Sequence, residues 1–86
     1  MEMVVFTSKD CVPCQKLKPI AEQLAKENQI KLRYVDRENE RPEFHKYGIY
    51  SVPSIILFKS GVPMQTIIGL ANKLTIDSKI KKLKEE

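Results

Sequence analysis

Met3-Val4-Val5-Phe6-Thr7-Ser8-Lys9-Asp10-Cys11-Val12-Pro13-Cys14-Gln15-Lys16-Leu17-Lys18-Pro19-Ile20-Ala21 is the stretch on which the reading of the 86-residue chain turns. Met3–Thr7 is a short apolar run with β-branched residues, which favour the pleated conformation. Ser8-Lys9-Asp10 is polar and breaks it. From Cys14 to Asn28 the period becomes helical: Leu17, Ile20, Ala21, Leu24 and Ala25 fall on one face. A strand passes through a short loop into a helix, and both cysteines of the chain sit at that junction.

The position matters because a helix N-terminus carries unpaired backbone N–H groups and the positive end of the macrodipole. A thiolate placed there is stabilised. A thiol with pKa near ~8.5 is only about 3% ionised at neutral pH, and lowering that value to about 7 raises the nucleophile more than tenfold. The spacing assigns roles. Cys11 precedes the helix, is expected to be exposed, and attacks. Cys14 lies in the first turn, is expected to be shielded, and resolves. Pro13 has no N–H to lose in that turn. Asp10 either opposes ionisation of its neighbour Cys11 or caps the helix. Two plainer readings exist. Structural zinc needs four ligands, and His45 is the one further candidate of the nitrogen–sulfur type. A purely structural disulfide closing so short a loop removes little unfolded-state entropy.

Outward from this unit, Ile30–Val35 reads as a second strand and Asp36–Arg41 as a polar break. Pro42 suits the first turn of a short helix and Gly48 its end. Ser54–Phe58 is nearly all apolar, as a central strand covered on both faces is. Ser60-Gly61 marks a tight turn, and Met64–Ile68 a last strand with Pro63 at its start, which suggests a sheet edge. Asn72 can cap a final helix whose inner face is Ile76, Ile80 and Leu83. The order βαβαββα implies an α/β fold: a four-stranded mixed sheet flanked by three helices on both faces, closed by an antiparallel hairpin.

Composition narrows the function. The formal charge is +4, from 15 basic and 11 acidic residues. Five lysines between Lys73 and Lys84 read as a solvated helix face. That tail lacks the aromatic or groove-reading elements of a nucleic-acid site, so no nucleic-acid partner is expected. The longest apolar run, Ile55–Phe58, is far too short for a bilayer, so no membrane association is expected either. The N-terminus has no basic start or cleavage site, which makes the cytoplasm the expected location. Residues 1–86 read as a single domain.

The segment Phe6–Ile20, with Cys11-Val12-Pro13-Cys14 and Pro19, resembles the active-site segment of the thioredoxin family, in which Cys-Gly-Pro-Cys is followed five residues later by a helix-kinking proline. A second block, Tyr47–Gly61, resembles the thioredoxin segment that carries a cis-proline beside the cysteine pair. The resemblance therefore implies a thioredoxin-like fold and a cis Val52–Pro53 bond. It also implies a substrate-binding surface made by Val12, Pro13, Val52, Pro53 and Gly69, with the Val52 backbone pairing to an extended substrate. Gly69-Leu70-Ala71-Asn72-Lys73 matches the loop before the last helix. The implied activity is reduction of protein disulfides, with Cys11 and Cys14 catalytic and no cofactor or metal in the chain. The implied partners are disulfide-containing proteins and a thioredoxin-reductase-type flavoprotein as electron donor, for a monomer.

The departures are specific. The N-terminal strand and helix of full thioredoxins are absent, giving the size of a glutaredoxin. Asp10 stands where a tryptophan usually precedes the first cysteine. Val5 stands where thioredoxins keep a buried aspartate that accepts the resolving thiol's proton. A glutathione-dependent enzyme is the rival reading within the class. Glutaredoxins, however, commonly place a basic residue where this chain has Ser8, and an acid in the loop where it has Gly69–Asn72. A non-enzymatic interaction module is the rival outside the class; working thiols separate it from either enzyme.

Overall fold

A computed structural model describes residues 1–86. Its elements are β1 (Glu2–Thr7), α1 (Val12–Asn28), β2 (Lys31–Asp36), α2 (Arg41–Lys46), β3 (Ser54–Lys59), β4 (Val62–Ile68) and α3 (Lys73–Glu85). The sheet order is β2-β1-β3-β4, with β1 parallel to β2 and antiparallel to β3, and β4 antiparallel to β3. This is the four-stranded mixed sheet with three helices that the residue pattern implies.

Strand alternation divides the core in two. Met3 and Val5 of β1, with Ile55 and Leu57 of β3, face α1 and α3 and meet Leu17, Ala21, Leu24, Ile76, Ile80 and Leu83. Val4, Phe6, Ile56 and Phe58 point the other way, onto Phe44 of α2 and Ile49. The unbroken apolar runs in β1 and β3 thus reflect burial on both faces. Each fully buried side chain of this kind contributes about 1.5–3 kcal/mol. Under α2 the Phe6 and Phe44 rings meet edge to face at 5.1 Å, and Tyr47 stands against Phe58 at 5.5 Å.

Several boundaries differ from the sequence reading. Helix α1 starts at Val12 rather than Cys14, because Cys11 caps it and Pro13 fits its first turn. Strand β2 is shifted by one residue, since Gln29 takes the left-handed conformation and the Ile30 amide still bonds to the Ala25 carbonyl. The edge strand begins at Val62, before Pro63. Its ladder shifts register opposite Leu57 and Phe58, where a residue without an N–H is tolerated.

The turn and cap residues behave as their chemistry requires. Ser60 and Gly61 both have positive φ, the conformation of a type I′ hairpin. Gly48, at φ +65°, ends α2 in a Schellman motif: the Ile49 N–H donates to the Phe44 carbonyl and the Gly48 N–H to that of His45. Asn72 Oδ1 accepts from the Thr75 N–H at 2.8 Å and caps α3. Buried Asn28 ties α1 to α3, donating to the Leu24 carbonyl and to Asp77 Oδ1, each at 3.0 Å. No helix is long and apolar enough to cross a membrane.

Candidate active site

Sheet register brings three separate segments to one end of the molecule. Phe6 of β1 lies opposite Ser54 of β3, and Ser54 lies opposite Ile68 of β4. The loop after Thr7, the segment before Ser54 and the loop after Ile68 therefore share that end. They carry Cys11, Val52–Pro53 and Gly69.

Cys11 is the N-cap of α1. Its sulfur accepts a hydrogen bond from the Cys14 N–H at 3.2 Å, and its carbonyl accepts from the Gln15 N–H. The cysteines are joined, with 5.2 Å between their Cα atoms. Cys11 is half-buried and Cys14 only 6% exposed, while Val12 and Pro13 stand out in solvent. Asp10 does not cap the helix. It is exposed, with φ +59°, and leaves the capping position to the cysteine sulfur. Helix α1 continues through Pro19, which lies on its exposed side.

The Val52–Pro53 bond is cis and Pro53 is buried. The Pro53 carbonyl accepts from the Gly69 N–H at 2.8 Å, and the Ser51 carbonyl accepts from Ser54 Oγ at 2.8 Å. Gly69 has φ +88° and open space where a side chain would stand. Val52 differs from its neighbours, because neither its N–H nor its C=O has a partner within the chain. A half-buried residue with both backbone groups free can pair with an added strand.

Behind Cys14 lies a cavity of about 310 Å³, walled by Val5, Cys14, Gln15, Lys18 and Tyr34 among others. The Lys18 ammonium stands 5.8 Å from the centre of the Tyr34 ring. Burial, then the nearby Glu22 charge and its hydrogen bond, push the Tyr34 phenol up to about 12. No carboxylate walls this cavity. On the other side the cysteine loop is tied down by the Lys9 N–H, which donates to Glu38 Oε1 at 3.0 Å. Glu38 is held below its ordinary carboxylate range by its hydrogen bond with Asp36 and then by that Lys9 amide.

The sequence reading named every segment at this end of the sheet but missed Lys18, Tyr34 and the Lys9–Glu38 tie. The position of Lys18, one turn beyond Cys14, could have revealed it as a neighbour on the same helix face. Nothing in the sequence signals that Tyr34 closes the same cavity. His45 lies elsewhere, on α2, where it shares a separate cavity with Arg37 and Arg41.

Comparison with known proteins agrees with this geometry. The thioredoxin family profile matches residues 1–82. An M-type chloroplastic thioredoxin of Pisum sativum is 37% identical over 82 residues, covering 93% of this chain and 48% of that protein. A thioredoxin of Rickettsia bellii is 38% identical over 73 residues, covering 83% of this chain and 70% of that protein. Among solved structures, a thioredoxin from Halobacterium salinarum superposes with a TM-score of 0.90 at 26% identity, over 94% of this chain and 72% of that one. Thioredoxin 1 from Thermosipho africanus gives a TM-score of 0.91 over 99% of this chain and 96% of that one; at 16% identity it speaks to the fold alone.

Proposed function

The chain belongs to the thioredoxin family, and from that premise we propose that it reduces protein disulfides through the Cys11–Cys14 dithiol. The observation that carries the reading is the pair itself: a sulfur at the cap of α1, hydrogen-bonded by the Cys14 amide, beside a second sulfur that is buried.

The chemistry follows in two exchanges. The Cys11 thiolate attacks one sulfur of a substrate disulfide. That bond breaks, a Cys11–substrate disulfide forms, and the other substrate sulfur leaves as a thiolate and takes a proton. Cys14 then loses its proton and attacks Cys11 Sγ, which releases the second substrate sulfur and closes the Cys11–Cys14 bond. The substrate gains two electrons and two protons, and the protein's dithiol is oxidised. Accessibility supports Cys11 as the attacker and Cys14 as the resolver, since an incoming protein disulfide reaches the less buried sulfur first. The amide that bonds to Cys11 Sγ supports the Cys11 thiolate that attacks in the first exchange. No side-chain carboxylate walls the cavity behind Cys14, and the Lys18 ammonium on the same wall favours the thiolate left when Cys14 gives up its proton. The free Val52 backbone supports pairing with an extended substrate, flanked by Val12, Pro13, Pro53 and Gly69.

A thioredoxin-reductase-type flavoprotein resets the disulfide in this reading. The loop from Gly69 to Asn72 offers glutathione no acid, and the Asn72 side chain is occupied in capping α3. One chain supplies both sulfurs and the Val52 backbone, which is consistent with a monomer working in a reducing compartment such as the cytoplasm. The test is reduction of insulin in dithiothreitol, with single-cysteine variants. Cys11→Ser is expected to abolish turnover, and Cys14→Ser to hold substrate in a persistent mixed disulfide. Trapping by Cys11→Ser and not by Cys14→Ser would reverse the roles; no acceleration by the unaltered protein would remove the reading.

A further inference from the structure

Arg37 and Arg41 sit where β2 gives way to α2, and neither takes part in any of the four ion pairs of the structure. The acidic residues around them make their hydrogen bonds elsewhere, although the charge of Arg37 still helps to hold Glu38 low. Glu38 accepts from the Lys9 amide, Glu40 from the Asp36 amide, and Glu43 pairs with Arg33. The two arginines instead face a cavity of about 180 Å³, shared with Phe44, His45, Ile49 and Tyr50. No carboxylate lines it. Arg37 is half-buried and held in place: its Nη2 donates to the Tyr50 carbonyl at 3.3 Å, and its guanidinium lies 5.4 Å from the Phe44 ring centre. Arg41 and His45 stand one turn apart on α2.

Unpaired guanidinium groups over an aromatic and aliphatic floor bind carboxylates well, because the planar fork matches the two oxygens and the floor lowers the local dielectric. The location says whose carboxylate. Tyr50 walls the cavity and precedes Val52 by two residues. Even a fully extended chain advances only roughly 3.3 Å per residue, so at most about 7 Å of backbone separates the cavity from the free N–H and C=O of Val52. The Arg37 N–H also donates to the Thr7 carbonyl at 2.9 Å, which places this turn against the strand end that leads to Cys11. We propose that the cavity between α2 and the Tyr50–Val52 segment is a subsite for an aspartate or glutamate side chain of the protein substrate, carried two or three residues from the disulfide cysteine. The inference rests on the disulfide-reductase reading and adds a substrate preference to it: disulfides in acidic extended segments are reduced faster than those in neutral or basic ones.

The experiment compares disulfide-linked peptides that are identical except for Glu, Gln or Lys at the second or third position from the cysteine, on either flank. For the unaltered protein, kcat/KM is expected to be about tenfold higher for the best-placed Glu peptide than for its Lys counterpart, a difference of roughly 1.4 kcal/mol. That ratio is expected to fall below about twofold in 1 M salt, where the screening length is only about 3 Å. Arg41→Glu is expected to reverse the order and Arg41→Lys to keep it. Arg41 is exposed and no side-chain hydrogen bond depends on it, and a thermal melt of each variant checks that it is folded. A Glu-to-Lys ratio near one in the unaltered protein, or the same ratio in Arg41→Glu, overturns the subsite while leaving the reductase intact. Failure to reduce any of the peptides removes the reductase reading and the subsite with it.

Discussion

Replacing Val5 with aspartate probes the cavity behind Cys14 more directly than any change to the cysteines. Val5 is 1% exposed on β1 and walls that cavity together with Lys18 and Tyr34. In its neutral form the new side chain forfeits the transfer free energy of a buried valine, about 2 kcal/mol. Ionisation adds a second cost, because burial disfavours the charged form and raises the carboxyl pKa. Fully enclosed carboxylates reach about 8–9. Here the opposing Lys18 ammonium and the room in the cavity moderate the rise above the ~3.9 of the unfolded chain. The folded-state value is the raised one, so stability is greatest below the unfolded value and declines as pH climbs through the folded value. At about 1.36 kcal/mol per pH unit, a rise of about two units makes Val5→Asp lose about 2 kcal/mol more at pH 7 than at pH 4. Urea unfolding of the oxidised protein from pH 4 to 8 measures this, with Val5→Asn as the uncharged control. Curves for Val5→Asp and Val5→Asn that run parallel across that range would refute the claim that residue 5 faces a poorly solvated cavity.

Two further perturbations test the packing around the site. Ultraviolet titration is expected to show one phenol ionising at about 12 that disappears in Tyr34→Phe, and Glu22→Gln is expected to move it back towards 10. Because that value is raised on folding, the stability Tyr34 contributes is lost as pH rises from 10 to about 12. Asn28→Ala removes a buried bridge between α1 and α3 and is expected to cost about 1–2 kcal/mol in denaturant unfolding. Its partner Asp77 is held below the ordinary carboxylate range, first by Lys81 and then by Asn28. The stability Asp77 supplies is therefore present above that range and lost as pH falls through its depressed value, and Asp77→Asn is expected to flatten the acid limb of the stability curve.

The sequence by itself determined the order of elements, the two-faced burial of β3, the edge position of β4 and the place of both cysteines at a helix start. Each of these is a local property: a period of two or of 3.6, a proline without an N–H, a glycine or asparagine at a helix boundary. It also carried the family likeness, through Cys11-Val12-Pro13-Cys14, Pro19 and Val52–Pro53. Boundaries slipped by a residue or two where a cap was unusual. The sulfur of Cys11, rather than the carboxylate of Asp10, accepts the first-turn hydrogen bond, and no propensity predicts that.

Tertiary structure alone decided which distant residues share a cavity. Tyr34 shares a cavity with Cys14 because β2 is parallel to β1 and α1 crosses over both, a consequence of sheet order that cannot be read from the spacing of the two residues. Lys9 finds Glu38 for the same reason. In the sequence Arg37 and Arg41 read as part of the polar break Asp36–Arg41, and His45 only as a further candidate metal ligand. Only folding shows that the neighbouring acids bond to backbone amides and to Arg33, which leaves two arginines facing an aromatic floor beside the segment that leads to Val52. Charges of both signs alternate along that stretch of chain, and which of them neutralise each other is fixed by where the backbone turns.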